Sequence, residues 1–312
     1  MPKRIIVRLF IFAAIGVAAW LIYGTLSHYT FDEIARSIMQ IPVGHLLAGI
    51  GFVFLSYFCL TLFDTLAVRY VGHKLAYPQV AIASFTSLSI GHNIGVAALS
   101  SGAIRYRFYS RWGLSVEDVA KVILFCGVTV GLGLVTLAAL CFLIRPESAA
   151  RVIGFSETAA IFLGGACLAA SAGYVILAGL LRGSLRVFRW TFEMPSLPIA
   201  AGQVIVGTAN FLCVSACLHQ LVLALGSSGF FETATAYVSA NLTAIVTHIP
   251  GGIGVLEATI AFLLGRSATI GALIAFRTIY FFLPLPLGLV SLSIAEFLRT
   301  DAAKSLASRA KT

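Results

Sequence analysis

The sequence predicts an all-α polytopic membrane protein with about six full spans and two re-entrant helical hairpins, arranged as an inverted repeat. Of its 312 residues, 59% are hydrophobic and only 11% are charged, whereas soluble domains carry about 25% charged residues. The mean hydropathy is +0.98. Basic residues lie mostly in short segments between apolar runs, and two of those runs meet glycine-rich breaks. A chain with so little charge requires lipid as its main solvent.

Six apolar runs are long enough to cross a bilayer, which takes about 20 apolar residues. They lie at residues 5–26, 45–65, 119–143, 159–181, 199–225 and 268–297. The first run follows a basic start, as a signal peptide does, but it is long and no small-residue cleavage site stands out after it. We therefore expect an uncleaved first span.

Two further segments, at 79–99 and 232–249, are rich in Ser, Thr, Asn or His and run into the breaks. If both crossed the membrane fully, the basic residues outside the spans would divide almost evenly between its two sides. If both fold back, the external loops retain only Arg36, Arg145, Arg151 and Arg266. The positive-inside tendency favours the second model, which places the N-terminus and the C-terminus in the cytoplasm.

The two breaks also suggest how the chain is organised. Residues 100–103 (SSGA) precede residues 250–253 (PGGI) by about 150 residues, and each stretch precedes a short helix and a long span. Three spans separate them, which inverts the second copy. We predict one integral membrane domain over 1–312, with repeat halves at about 1–150 and 151–298 and a basic cytoplasmic tail at 299–312. Two unrelated glycine-rich kinks are the alternative.

Five ionisable residues lie in or beside the apolar segments: Asp64, Arg105, Arg107, Glu257 and Arg277. Such residues are costly in a membrane and are candidates for function. The structural interpretation is internal pairing, of Glu257 with Arg277 and of Asp64 with Arg105 or Arg107. The functional interpretation adds that guanidinium groups bind phosphate, while a carboxylate holds a cationic headgroup or exchanges with the arginine during a cycle. Both interpretations remain open.

The glycines of the second break extend the candidate site. Free backbone N–H groups at Gly251, Gly252 and Gly254, together with the dipole of the following helix, would favour an anion. A tight packing turn is the alternative. Gln203, Asn210 and His219 are predicted to form hydrogen bonds between helices instead.

Several classes of function lack their motifs. The six cysteines lie in apolar stretches without C-x-x-C spacing, and the chain contains no H-E-x-x-H, G-x-S-x-G or Walker sequence. We expect no catalytic residue, cofactor, metal or nucleic-acid partner. A membrane-embedded lipid transferase that uses the carboxylates is not excluded.

The stretches "SSGAIRYRFYSRWGLS", "HIPGGIGVLEATIAFLLG" and "ALIAFRTIYFFLPLPLG" carry a family resemblance. Nearly the whole chain resembles the transmembrane flippase region of the lysylphosphatidylglycerol synthetase/flippase (MprF) family, which stand-alone YbhN-like members share. The resemblance implies a bacterial cytoplasmic (inner) membrane protein that moves lipids between leaflets. It also implies that Asp64, Arg105, Glu257 and Arg277 line its cavity. The aminoacyl transferase domain of full-length members is missing here, so we do not expect an enzyme.

The expected partners are therefore membrane lipids: an anionic or aminoacylated phospholipid, or an isoprenoid lipid. A homo-oligomer or a separate lipid-synthesising enzyme is the protein partner left open. Besides a transferase, the alternative to translocation is a non-transporting membrane subunit whose charged pairs are scaffolding.

Overall fold

The computed structural model describes residues 31–93, 97–154, 156–180, 183–187, 190–247 and 254–309, and this part of the chain is almost entirely helical. In chain order the helices are α1 (Phe31–Met39), α2 (Val43–Tyr70), α3 (Tyr77–Gly91), α4 (Ala97–Tyr109), α5 (Val116–Ile144), α6 (Pro146–Ile153), α7 (Glu157–Leu180), α8 (Leu197–Leu225), α9 (Phe230–Thr247), α10 (Val255–Leu264), α11 (Arg266–Arg277) and α12 (Pro284–Arg309). A 3₁₀ turn at Ser110–Trp112 follows α4, and a π-helical turn at Thr278–Phe282 joins α11 to α12.

Five segments of the described chain are long and apolar enough to cross a membrane. They are α2, α5, α7, α8 and the stretch Thr269–Phe297 across α11 and α12. Each matches a predicted apolar run, so the helical membrane class is confirmed. The first predicted span, 5–26, lies outside the described residues, and the count of six spans stays a prediction.

Large apolar side chains remain exposed on several helices, as a lipid solvent requires. Phe54 on α2 and Phe162 on α7 are each 75% exposed, and Phe262 on α10 is 85% exposed.

Where helices meet, small residues allow close approach. A Cβ atom at Gly207 of α8 would lie 2.6 Å from the carbonyl oxygen of Thr129 on α5. Such small-residue crossings are typical of packing between membrane helices, where dispersion contacts replace the hydrophobic effect.

Helices α3 and α4 form the first hairpin. At 1.5 Å per residue they are about 22 and 20 Å long, short of the roughly 30 Å of a hydrocarbon core. The prediction that the chain breaks at residues 100–103 is wrong, because these residues lie within α4. Helix α3 ends at Gly91, and the turn begins at His92. A Cβ atom at Gly91 would lie 2.8 Å from that of Ser101, so the small residues serve close packing within the hairpin.

Helices α9 and α10 form the second hairpin. Residues 248–253 between them, including the predicted Gly251 and Gly252, lie outside the described part of the chain. Gly254 precedes α10 with φ +81°, a left-handed conformation that favours glycine. Gly265, with φ +90°, separates α10 from α11 in the same way. Both hairpins are present as helical pairs, and their re-entrant placement in a bilayer stays a prediction.

One short strand pair qualifies the all-α prediction. Strands β1 (Ser184–Val187) and β2 (Trp190–Glu193) pair antiparallel between α7 and α8. The hydroxyl of Tyr70, at the end of α2, donates a 2.6 Å hydrogen bond to the carbonyl oxygen of Glu193. At the other end of the chain, α12 continues to Arg309, through most of the segment predicted as a tail. The two repeat halves stay a prediction.

Candidate functional site

Asp64 of α2 is fully buried, and its carboxylate forms a two-pronged ion pair with Arg105 of α4. The Nε atom of Arg105 donates to Oδ1 and an Nη atom donates to Oδ2, each at 2.8 Å. The planar guanidinium fork matches the carboxylate, which makes this the stronger class of ion pair. Of the two pairings left open for Asp64, the structure has the one with Arg105.

Two hydroxyl groups also donate to this carboxylate, and the thiol of Cys126 on α5 makes a longer contact, at 4.0 Å, with Oδ2. Ser84 of α3 donates to Oδ2, and Tyr109 of α4 donates to Oδ1, each at 2.8 Å. Tyr109 lies one helical turn after Arg105, so both side chains lie on the same face of α4. Asp64 therefore joins α2 to both helices of the first hairpin. With four N–H and O–H donors on its two oxygen atoms, the carboxylate has its charge well compensated.

Arg107 does not pair with Asp64, and that alternative is wrong. Its Nε atom donates to the carboxylate of Glu296 on α12 at 2.7 Å, and Arg111 contacts the same carboxylate. This cluster joins the end of the first hairpin to the last helix. The sequence does not point to Glu296, because the residue lies at the polar end of the last span, 189 positions from Arg107.

The predicted pairing of Glu257 with Arg277 is present. Nε of Arg277 donates to one oxygen of Glu257, and the backbone N–H of Gly254 donates to the other at 2.9 Å. Glu257 thus caps the first turn of its own helix while it binds α11. The guanidinium carbon of Arg277 lies 5.5 Å from the ring centre of Phe281, within cation–π range.

The backbone is irregular on both sides of this pair. Gly254, with its positive φ, stands immediately before the helix that carries Glu257. Arg277 is the last residue of α11 before the π-helical turn at Thr278–Phe282. Turns of the π type occur often at functional sites. The N–H groups predicted at Gly251 and Gly252 fall outside the described residues, so Gly254 is the one predicted glycine that the structure places in this site.

A polar and aromatic cluster connects the first hairpin to the π-helical turn. The amide of Asn93, in the turn of that hairpin, donates to the carbonyl oxygen of Phe281 at 3.1 Å. The ring of His92 stacks on that of Tyr280 at 6.3 Å between centres. The hydroxyl groups of Ser56 and Tyr280 lie 3.0 Å apart. Residues in the turn of the first hairpin therefore contact the π-helical turn that follows Arg277, a link that the sequence did not predict.

The predicted interhelical hydrogen bonds are present. Gln203 of α8 donates to the hydroxyl of Thr129 on α5 at 3.1 Å. Asn210 of α8 accepts from Ser56 of α2 at 2.7 Å. Nδ1 of His219 lies 3.4 Å from the hydroxyl of Thr233 on α9. Within the described residues, no group of three or more His, Cys, Asp or Glu side chains has a geometry that could hold a metal ion.

Two curated proteins are similar to this chain along most of its length, although no protein-family model matches it. The uncharacterized protein slr0712 of Synechocystis sp. (strain ATCC 27184 / PCC 6803 / Kazusa) is 30% identical over 299 residues, which cover 91% of each chain. The inner membrane protein YbhN of Escherichia coli (strain K12) is 29% identical over 303 residues, covering 95% of this chain and 93% of YbhN. The chain therefore belongs to the same protein family as slr0712 and is a YbhN-like membrane protein.

Proposed function

We propose that this protein translocates a lipid, either a phospholipid or a related isoprenoid lipid, between the leaflets of its membrane. The observation that carries the proposal is the ion pair of Glu257 and Arg277 between two irregular helix ends. The Glu257 side chain is 18% exposed, so the pair lies at the edge of the packed interior. An arginine held by a carboxylate near a helix start supplies the groups that bind a lipid phosphate.

The proposed cycle exchanges one ionic partner for another. When the site is empty, Glu257 neutralises Arg277. A headgroup phosphate then binds the guanidinium group of Arg277. Glu257 keeps its hydrogen bond from the N–H of Gly254 or binds a cationic headgroup. The acyl chains stay in the lipid phase, so that only the polar group needs a path through the protein. This exchange avoids leaving either charge buried without a partner, which would be strongly unfavourable.

Asp64 and Arg105 have a different part in this proposal. A phosphate at Arg105 would have to displace two short hydrogen bonds in a buried carboxylate cluster. We therefore assign this pair to holding the first hairpin, and we centre headgroup binding on Arg277. Asn93 in the turn of this hairpin contacts Phe281, so the hairpin is joined directly to the turn beside Arg277.

The resemblance to the MprF flippase region supports a lipid substrate. The relative YbhN is an inner membrane protein, and we place this chain in the same membrane with both termini cytoplasmic. The proposed substrates are anionic or aminoacylated phospholipids and isoprenoid lipids. In this proposal the chain itself is not an enzyme, so a separate enzyme synthesises the lipid.

The test is leaflet exchange of labelled anionic, zwitterionic and cationic lipids in proteoliposomes. Wild type should exchange at least one class, and Arg277→Leu should lower that rate at least tenfold. Arg145→Leu is the matched control, because Arg145 is 62% exposed and pairs only with Glu147 among the described residues. Lipid exchange at the wild-type rate by well-folded Arg277→Leu protein would contradict the proposed site.

The same preparations separate two alternative functions. A membrane-embedded transferase would change the lipids chemically, which mass analysis after incubation with a donor would detect. A non-transporting subunit would use the ion pair only as scaffolding. In that case the double variant Glu257→Gln/Arg277→Leu should regain the stability and cellular function that either single change lowers, because no buried charge stays unpaired.

A further inference from the structure

A cleft of about 240 Å³ lies where α2 ends and α3 begins, at one end of the first hairpin. Its wall includes three basic side chains, Arg69, His73 and Lys74, beside the ring of Tyr77. We propose that this cleft binds the phosphate group of an anionic phospholipid at the membrane surface. The site is separate from the ion pair of Glu257 and Arg277, and it does not depend on whether the protein translocates lipid.

The charges of the cleft carry the proposal. Among the Lys and Arg side chains that the structure describes, all but Arg69 and Lys74 lie within 4 Å of a carboxylate oxygen. These two unpaired cations line the same cleft, and both are exposed. His73 is already engaged, because its Nε2 atom lies 3.3 Å from Asp118. The cleft therefore has two positive charges that no described carboxylate compensates.

The local backbone engages two of the carbonyl acceptors that would otherwise compete for these charges. At the end of α2, the N–H of Gly72 donates to the carbonyl of Arg69, and the N–H of His73 donates to that of Val68. These two bonds, with φ +83° at Gly72, form a Schellman motif. The carbonyl groups of Val68 and Arg69 are thus satisfied by the turn. Helix α3 then begins at Tyr77, so its positive dipole end also faces this region.

The remaining wall explains why a lipid fits better than a free anion. Val68 and Val80 are buried and form an apolar part of the lining, with Leu75 beside them. The cleft lies at the end of a candidate span, the depth at which phospholipid phosphates meet basic side chains. Its volume is below the about 300–1,000 Å³ of pockets that enclose drug-sized ligands. It can therefore hold a headgroup, while acyl chains stay along the helices.

The test is native mass spectrometry of the purified full-length protein with equal amounts of phosphatidylglycerol and phosphatidylcholine. We expect wild type to retain phosphatidylglycerol preferentially. The double variant Arg69→Gln/Lys74→Gln should bind it roughly 30-fold more weakly. The double variant Arg145→Gln/Arg151→Gln removes the same net charge from residues that have carboxylate partners, and its binding should stay within about twofold of wild type.

A second arm distinguishes a lipid from a free anion. Inorganic phosphate is added to wild type and to Arg69→Gln/Lys74→Gln, and the unfolding temperature is measured. A lipid site predicts no shift specific to wild type at millimolar phosphate. Stabilisation of wild type alone by phosphate, without a difference in phosphatidylglycerol retention, would overturn the lipid assignment. Equal phosphatidylglycerol retention by both double variants would overturn the site itself. Both side chains are exposed, so the variants should fold as wild type does.

Discussion

The two carboxylate–arginine pairs of this protein join the same chemical groups in different surroundings. Asp64 has no exposed side-chain surface and accepts from four N–H and O–H donors, two of them on Arg105. Glu257 is 18% exposed, and it divides its two oxygen atoms between Arg277 and a backbone N–H group. The two arginines are similarly buried, at 4% and 6% exposure, so the pairs differ at the carboxylate: Asp64 is enclosed by side chains, whereas Glu257 lies at a helix end that water or a headgroup can reach.

The backbone makes the same distinction. Asp64 and Arg105 lie within regular helices, so neither end of the pair can shift without moving a helix. Glu257 follows a glycine with positive φ, and Arg277 precedes a π-helical turn. Sparsely populated backbone conformations tend to gather where a protein binds or switches. The first pair is therefore suited to fix the fold of the hairpin, and the second is suited to exchange partners.

The largest expected effect is that of Asp64→Asn. The change leaves the guanidinium of Arg105, which is 4% exposed, without its charged partner. Breaking a buried ion pair from one side costs about 3–5 kcal/mol. The free energy of unfolding, measured by SDS titration in mixed micelles, should fall by about that amount. Glu147→Gln is the control, because it breaks an exposed pair with Arg145 and should cost at most about 1 kcal/mol. Equal losses of unfolding free energy in the two variants would contradict the structural role of the first pair.

The next effect tests whether the donors around Asp64 matter beyond the ion pair. Tyr109→Phe removes one 2.8 Å hydrogen bond to the carboxylate and leaves the buried ring in place. A hydrogen bond to a charged group contributes about 1.5–3 kcal/mol, so we expect a loss of about 2 kcal/mol in unfolding free energy. Tyr106→Phe is the matched control on the same helix, since Tyr106 is 44% exposed. A loss in the control as large as that of Tyr109→Phe would show that the hydroxyl bond to Asp64 adds nothing.

Parts of both sites follow from local sequence. Charges in apolar runs must find partners in a membrane, and few partners exist, so Glu257 could be matched to Arg277 from the sequence alone. Five of the predicted spans were placed within a few residues because their apolar composition is continuous. Asp64 could be narrowed only to Arg105 or Arg107, since both follow the same break. The choice depends on which face of α4 meets α2.

The remaining features depend on packing between distant segments. The hydroxyls of Ser84 and Tyr109 at Asp64 carry no signal in the sequence, because most Ser and Tyr residues in such helices have other partners. The contact of Asn93 with Phe281 spans 188 positions and depends on how the first hairpin meets the last span. The sequence places the break of the first hairpin too late, because the small residues SSGA at 100–103 can serve a turn or a tight helix contact. The structure uses them for the second purpose.

The smallest expected effect on stability, that of Glu257→Gln, tests the comparison most directly. The glutamine oxygen can still accept from the N–H of Gly254, and Phe281 continues to cover the guanidinium of Arg277. Glu257 is 18% exposed, although Arg277 is only 6% exposed, and the glutamine oxygen can also still accept from Arg277, so we expect a loss of only about 1–2 kcal/mol in the unfolding free energy. Leaflet exchange should nevertheless fall at least tenfold. The neutral side chain no longer competes with phosphate for the arginine, so the bound headgroup is not released. A stability loss as large as that of Asp64→Asn, with exchange unchanged, would mean that both pairs serve the fold alone.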